Sequence, residues 1–213
     1  MLAGLAACAA AASPAVASPA AASPSLSTGR GCYVVGQSVS VQGAGFAADR
    51  KFDVTVDGVD FGTSTTDSSG AFSASLRPGG LGANQPQLIE HLAASDGTTA
   101  ANAVFTVTRK AGARFLATSG NPRTLRSKFQ VWGFSLRGGR LPVYLHYVSA
   151  SGHARKTVSL GQTGGQCGYL LTGSRRVFPF APGVGSWMLQ VDTHRSYARR
   201  PGGPVARIGV QIG

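Results

Sequence analysis

The residues of this chain that could perform covalent chemistry are few and stand far apart. Cys167 lies in the run Gly165–Tyr169. A cysteine acts as a nucleophile as a thiolate, typically at a helix start with a histidine base beside it. No helical periodicity surrounds this position, and no second motif supports it. The four histidines lack close metal-ligand spacing, so we predict no metal site. They are His91, His146, His153 and His194.

An acid and a histidine stand close together at Asp192-Thr193-His194. On a strand both side chains would point to the same face, and no serine can be nominated to complete a nucleophilic set. The nucleophile elbow, the phosphate-binding loop and the dinucleotide-binding glycine pattern are absent. We therefore predict no catalytic residue and no cofactor. A cryptic hydrolase is an alternative, which requires His, Asp or Cys side chains to converge within hydrogen-bond reach.

The net charge of +12 is unevenly divided along the chain. Residues 31–108 hold seven acids and three bases, a net of −4, whereas residues 109–213 hold sixteen bases and one acid, a net of +15. So many like charges repel one another and destabilise a small domain, which favours a polyanionic partner. The bland alternative is a basic face that binds nothing specific.

The densest cationic groups of the second half are the candidate polyanion-binding residues, because an arginine can direct two donors at one phosphate or carboxylate. They are Arg175, Arg176, Arg195, Arg199 and Arg200. Aromatic residues of the same half would either stack on sugars or bases or belong to the core. We expect an anionic cell-wall polymer, an acidic glycan or a membrane surface as partner, and no sequence-specific contact with nucleic acid.

The sequence predicts that these residues lie on or between β-strands. Apolar residues alternate with polar ones, as at Phe52, Val54 and Val56, and Gly, Asp and Ser turns recur every 8 to 15 residues. The second half restates this pattern about 90 to 100 residues later, through duplication or through two unrelated sandwiches. We predict an all-β protein of two tandem antiparallel immunoglobulin-like sandwiches, an acidic one over residues 31–108 and a basic one over residues 109–213.

The first half resembles immunoglobulin-like modules of the IPT/TIG and neocarzinostatin-like kind found in secreted proteins of high-GC bacteria. The likeness rests on the runs Gly36–Phe46, Asp57-Gly58, Asp67–Phe72 and Phe105–Thr108 and covers about residues 34 to 108. These are turn and core positions, so the resemblance implies a fold and carries no binding residue. Such modules serve as spacers, adhesion units or binding scaffolds. A small-ligand carrier with an apolar, aromatic-walled cleft is therefore a further alternative.

The first thirty residues form a signal or tether segment. An Ala-rich apolar stretch ends in Ser-Pro-Ala-Val-Ala-Ser, which predicts secretion with cleavage after Ala17. No Lys or Arg precedes Arg30, so we expect the leader to begin upstream of Met1. Alternatively, Leu5-Ala6-Ala7-Cys8 is a lipobox with Cys8 lipidated, or the segment is a low-complexity tail. Repeated Ala-Ser-Pro steps would keep it extended and disordered.

Removal of that leader leaves two cysteines, Cys32 and Cys167. An even count in an exported chain favours a disulfide, which would join one sandwich to the other. Two separate buried thiols are the alternative. Together these features predict a non-catalytic, secreted or lipid-anchored envelope or extracellular module. Its acidic half would be a spacer and its basic half would contact an anionic surface. No apolar run reaches the roughly 18 residues of a spanning helix, so we expect no transmembrane span.

Overall fold

Strands account for all of the regular structure in the described part of the chain. A computed structural model describes residues 23–117 and 119–213. Within these residues there are seventeen strands and no helix, so the protein is all-β, as predicted. The alternation of polar and apolar residues produces this result directly. β3, for example, buries Val39, Val41 and Gly43 and exposes the residues between them.

The strands of the first half form two sheets around one apolar core. They are β1 (Ser25–Thr28), β2 (Cys32–Val34), β3 (Val39–Ala44), β4 (Lys51–Val56), β5 (Val59–Thr65), β6 (Phe72–Leu76), β7 (Gln87–Ser95) and β8 (Ala100–Thr108). One sheet has the order β1-β3-β6 and the other β2-β8-β7-β4-β5. Phe52 and Phe72, one from each sheet, stack at 3.9 Å between ring centroids in the core between them.

The strands of the second half surround a separate core. They are β9 (Gly112–Phe115), β10 (Arg126–Ser127), β11 (Phe129–Trp132), β12 (Pro142–Ser149), β13 (Ala154–Gln162), β14 (Leu170–Leu171), β15 (Arg175–Arg176), β16 (Gly185–Asp192) and β17 (Val205–Ile212). The main sheet has the order β13-β12-β16-β17, and a smaller sheet has the order β14-β11-β9. β10 pairs with β15. Tyr147 and Phe178 lie among the fully buried side chains of this core.

The two halves use corresponding strand orders. In the first half β5, β4, β7 and β8 are neighbours, and in the second half β13, β12, β16 and β17 follow the same succession. The smaller sheets β6-β3-β1 and β14-β11-β9 correspond likewise. One ladder departs from the antiparallel prediction, because β2 runs parallel to β8. The multiple sheets are compatible with β-sandwich folds.

The start of the sheet structure lies earlier than the sequence indicated. Residues 1–30 were expected to be signal or tether, yet Ser25–Thr28 forms β1 and pairs with β3. The physical reason is Leu26, which packs against the first core and gives this short strand an apolar anchor. Cys8 and Ala17 lie outside the described residues. None of the described residues belongs to a helix with the length and hydrophobicity needed to cross a membrane.

Candidate polyanion-binding site

Cys167 is occupied by a covalent bond. Its sulfur lies 2.02 Å from that of Cys32, a disulfide between the two halves of the chain, and both residues are buried. Further contacts cross the same junction: Arg114 of β9 donates to the carbonyl oxygen of Asn84 at 3.0 Å. A disulfide sulfur is not a thiolate, so in this state Cys167 has no nucleophile to offer.

The outer face of the main second-half sheet carries a buried polar chain. His146 on β12 and Asp192 on β16 have no exposed surface, and the His146 Nε2 lies 3.2 Å from the Asp192 Oδ1. The other ring nitrogen lies 2.8 Å from the hydroxyl of Thr157 on β13. Gln190 Nε2 donates to Asp192 Oδ2 at 2.8 Å, so one carboxylate joins side chains of adjacent strands. Burial of these groups is tolerable because each finds a partner.

The contact between His146 and Asp192 brings a histidine and an acid within hydrogen-bond reach, which is what the hydrolase alternative requires. The sequence alone does not pair these two residues. The acid of the Asp192–His194 pair contacts His146 at 3.2 Å, whereas His194 Nδ1 stands 3.9 Å away. His146 has both ring nitrogens engaged and no exposed surface. The sequence signal for it is one histidine within the apolar run Val143–Val148, which the register places opposite Gln190 and diagonal to Asp192.

The buried chain also holds down the loop that carries three of the predicted arginines. Residues 193–204 connect β16 to β17 and fold back over the outer face of the sheet. The Asp192 carboxylate accepts from the backbone nitrogen of His194 at 2.8 Å. Gln190 donates to the carbonyl oxygen of Ala198 at 2.9 Å. Because the loop is tied to fully buried side chains at two points, its arginines are presented from a fixed backbone.

Arg199 and Arg200 of this loop line an open cleft of about 500 Å³, together with Arg207 of β17. Tyr197 supplies aromatic surface to it. We call this concavity the arginine cleft. Arg207 was not among the predicted site residues, because it stands alone in the alternating strand Val205–Ile212. The register places it opposite Gln190, which brings it to the same face as the loop.

The remaining predicted arginines lie at other clefts. Arg195 lines one with Tyr144, Thr157 and Ser159. Arg175 and Arg176 line another, which also includes Ser159, and Arg175 Nη1 donates to the Ser159 carbonyl oxygen at 2.9 Å. The five predicted residues therefore divide among three concavities, two of which meet at the edge strand β13.

No cation of the second half has an acidic partner among the residues that the structure describes. Within residues 23–117 and 119–213, the ion pairs are the two contacts of Asp192 with His146 and His194, and no Lys or Arg pairs with a carboxylate. Asp192, the single acidic side chain of residues 109–213, is fully buried. No side chain of the second half therefore exposes a carboxylate to offset the sixteen bases.

Burial raises the pKa of Tyr147 beyond its usual range, although the nearby Arg175 acts in the opposite direction.

The acids of the first half have structural roles. The carboxylates of Asp67 and Asp96 accept hydrogen bonds within their own turns, and these bonds lower the pKa of both groups. Glu90 on β7 is buried beside Asp57, and burial together with the Asp57 carboxyl raises the pKa of Glu90 to about 7. The hydrogen bond with Glu90 lowers the pKa of Asp57.

The described side chains form no cluster of metal ligands. Within residues 23–117 and 119–213, no three His, Cys, Asp or Glu residues form a group that could hold a metal ion. A smaller cavity of about 200 Å³, whose walls mix polar and apolar surface, lies in the second half. Its walls include Phe115, Leu125, Phe178 and Ile212.

Comparison with known proteins adds little to this geometry. No protein-family model matches the chain. No curated protein matches it either. A crystal structure of a Salmonella alpha-2-macroglobulin mutant is similar at 19% sequence identity and a TM-score of 0.32. That match covers 91% of this chain but 15% of the macroglobulin.

Proposed function

We propose that this chain is a non-catalytic, exported module of the cell envelope or the extracellular space. Its second half contacts a polyanionic surface, such as an anionic cell-wall polymer, an acidic glycan or a membrane surface. The acidic first half is a spacer. Secretion with cleavage after Ala17, or lipidation of Cys8, is part of the same proposal and rests on the leader sequence.

The observation that carries this proposal is the electrostatics of the second half. Sixteen cations surround one acid, and that acid is fully buried in the polar chain behind the arginine cleft. An ordinary basic protein intersperses carboxylates among its cations and so lowers their mutual repulsion. Here the repulsion is unrelieved by any side chain of the same half, and an external polyanion would relieve it.

Retention on immobilised heparin and on purified cell wall tests the proposal, with salt as the variable. Wild type should stay bound well above 0.15 M salt, because several arginines would engage the polymer at once. Arg199→Gln/Arg200→Gln removes two charges at the arginine cleft. Arg137→Gln/Arg140→Gln is the matched control, since it removes two charges from exposed positions between β11 and β12.

We expect the cleft variant to elute at clearly lower salt than the control variant. The slope of log K against log salt should fall by roughly 1 to 2 in the cleft variant, because each lost contact with the polyanion releases about one counterion fewer. Loss of wild-type retention at about 0.15 M salt would show diffuse attraction only and would contradict the proposal, as would equal shifts in the two variants.

The smaller cavity, with Phe115 and Phe178 in its walls, supports a second candidate function, the small-ligand carrier. Its aromatic walls and its volume of about 200 Å³ suit a compact apolar ligand such as naphthalene. Leu125→Trp would fill the cavity, whereas Leu171→Trp adds the same ring at an exposed position. Ligand-detected NMR should show naphthalene binding to wild type and to the Leu171 variant and none to the Leu125 variant. Binding that is equal in all three would exclude the carrier role for this cavity.

A further inference from the structure

Arg207 is held by neutral acceptors. Its Nε donates to Gln190 Oε1 at 3.1 Å, and its Nη2 donates to the backbone carbonyl oxygen of Arg199 at 2.6 Å. Gln190 is itself fully buried and fixed by Asp192, so the guanidinium is anchored to the interior of the sheet. An arginine fixed in this way keeps its whole charge, because no carboxylate neutralises it, and it loses little conformational freedom when it binds.

The absence of a side chain at Gly152 leaves room for the guanidinium of Arg199. A Cβ at Gly152, in the turn between β12 and β13, would lie 2.9 Å from Arg199 Nη2, so the guanidinium rests directly against the turn backbone. Arg200 follows at the same cleft. Three guanidinium groups thus line one concavity with no carboxylate among its lining residues. Such an arrangement is unfavourable alone and becomes favourable when an anion enters.

The rest of the arginine cleft is aromatic and hydroxylic. Tyr197 lies against the buried His146 at 5.7 Å between ring centroids. The ring of Trp187 packs on the core side of β16 against Phe178 and Phe180, so only the strand at this position borders the cleft. Ser149 and Ser186 add hydroxyl groups to the same lining. The concavity therefore combines cations, rigid flat apolar surface and small hydrogen-bonding groups.

We propose that the arginine cleft is a subsite for one charged sugar unit of an anionic glycan. A sugar ring has an apolar C–H face for Tyr197, hydroxyl groups for the serines, and a carboxylate, sulfate or phosphate for the arginines. A polyphosphate chain would contact the arginines alone. A lipid bilayer is planar and therefore fits a recessed cleft poorly. This inference rests on the proposed function and specifies the class of its ligand.

Binding of two soluble polyanions to the full chain tests the subsite. The probes are a heparin-derived tetrasaccharide and a linear polyphosphate of matched charge, measured by calorimetry at 0.15 M salt. Vesicles with phosphatidylglycerol form a third arm. Tyr197→Leu removes the aromatic surface of the cleft. Tyr144→Leu is the matched control, since Tyr144 is a half-buried tyrosine of the same sheet that lines the cleft of Arg195.

We expect the tetrasaccharide to bind at least tenfold more tightly than the polyphosphate. Tyr197→Leu should weaken tetrasaccharide binding about fivefold, a typical aromatic contribution, and leave polyphosphate binding unchanged. Tyr144→Leu should change neither. Equal affinities for the two probes, equal effects of the two tyrosine variants, or preferential vesicle binding would each overturn the glycan subsite. If the glycan subsite failed this test while the Arg199→Gln/Arg200→Gln variant still lost retention on the resin, the proposed function would stand. Absence of all polyanion binding would contradict both the subsite and the proposed function.

Discussion

Glu90 makes the first half of the chain sensitive to pH, and the size of the effect follows from its surroundings. Its carboxyl is buried on β7, and its pKa is raised from 4.5 to about 7, first by desolvation and then by the neighbouring Asp57. Between pH 4.5 and pH 7, Glu90 therefore keeps its proton in the folded state and has lost it in the unfolded state. The free energy of unfolding should fall as pH rises from 4.5 to 7 and should level off above that.

The full shift corresponds to about 3 kcal/mol, because one pKa unit is equivalent to about 1.4 kcal/mol. The hydrogen bond between the two carboxyl groups raises the pKa of Glu90 and lowers that of Asp57, which offsets part of this free energy. We therefore expect a loss of about 1 to 3 kcal/mol between pH 5 and pH 8. Asp57 has a lowered pKa and acts in a separate range, where its stabilisation is lost as pH falls below about 4.

Glu90→Gln isolates the effect, because the amide keeps the shape and a donor toward Asp57 but does not titrate. Urea denaturation followed by far-ultraviolet circular dichroism at pH 5, 6, 7 and 8 would measure it. The variant should match wild type at pH 5 and exceed it by about 1 to 3 kcal/mol at pH 8. Asp49→Asn, at an exposed turn, is the control for loss of one carboxylate. A pH profile for Glu90→Gln that runs parallel to wild type would refute the reasoning.

Three further predictions concern other parts of the structure. Cys32→Ser/Cys167→Ser should lower the free energy of unfolding in guanidinium by about 5 kcal/mol in the chain-entropy model, because the disulfide closes a separation of 135 residues; an unchanged midpoint would contradict this. Gly152→Ala should cost about 1 to 2 kcal/mol and also lower heparin retention, because φ is +83° and its Cβ would meet a cleft guanidinium. Gly36→Ala, at φ +85° with open space around it, should cost the same stability and leave retention intact. Trp132→Phe should stay within about 1 kcal/mol of wild type on thermal unfolding, because it removes a buried indole N–H that has no acceptor; a loss above 2 kcal/mol would argue against that.

The strands were predictable because their signal is local. Phe52, Val54 and Val56 alternate within one strand, and the structure buries all three. The short edge strand β1 was missed, since Ser25–Thr28 carries one apolar residue and follows an Ala/Ser/Pro-rich run. Its pairing depends on β3, where Ser25 lies opposite Ala44 and Thr28 opposite Val41, and no local pattern contains that partner.

The candidate site was predictable in composition and not in geometry. The sequence identified the excess of arginine, because a charge count requires no contacts. It could not group Arg199 with Arg207, whose meeting depends on the return of the 193–204 loop over β17. It likewise could not pair His146 with Asp192, because the register of β12 on β16 brings them together. Long-range register decides which side chains share a face.

Hydrogen–deuterium exchange of the full chain, with and without an anionic polymer, tests most directly the claim that the second half makes the contact. Saturation with heparin should protect the 193–204 loop and the turn at residues 149–152, both of which border the arginine cleft. The β4–β5 hairpin of the acidic half should exchange at the same rate in both conditions. Protection centred on the first half, or no protection at the arginine cleft while heparin is bound, would contradict the claim.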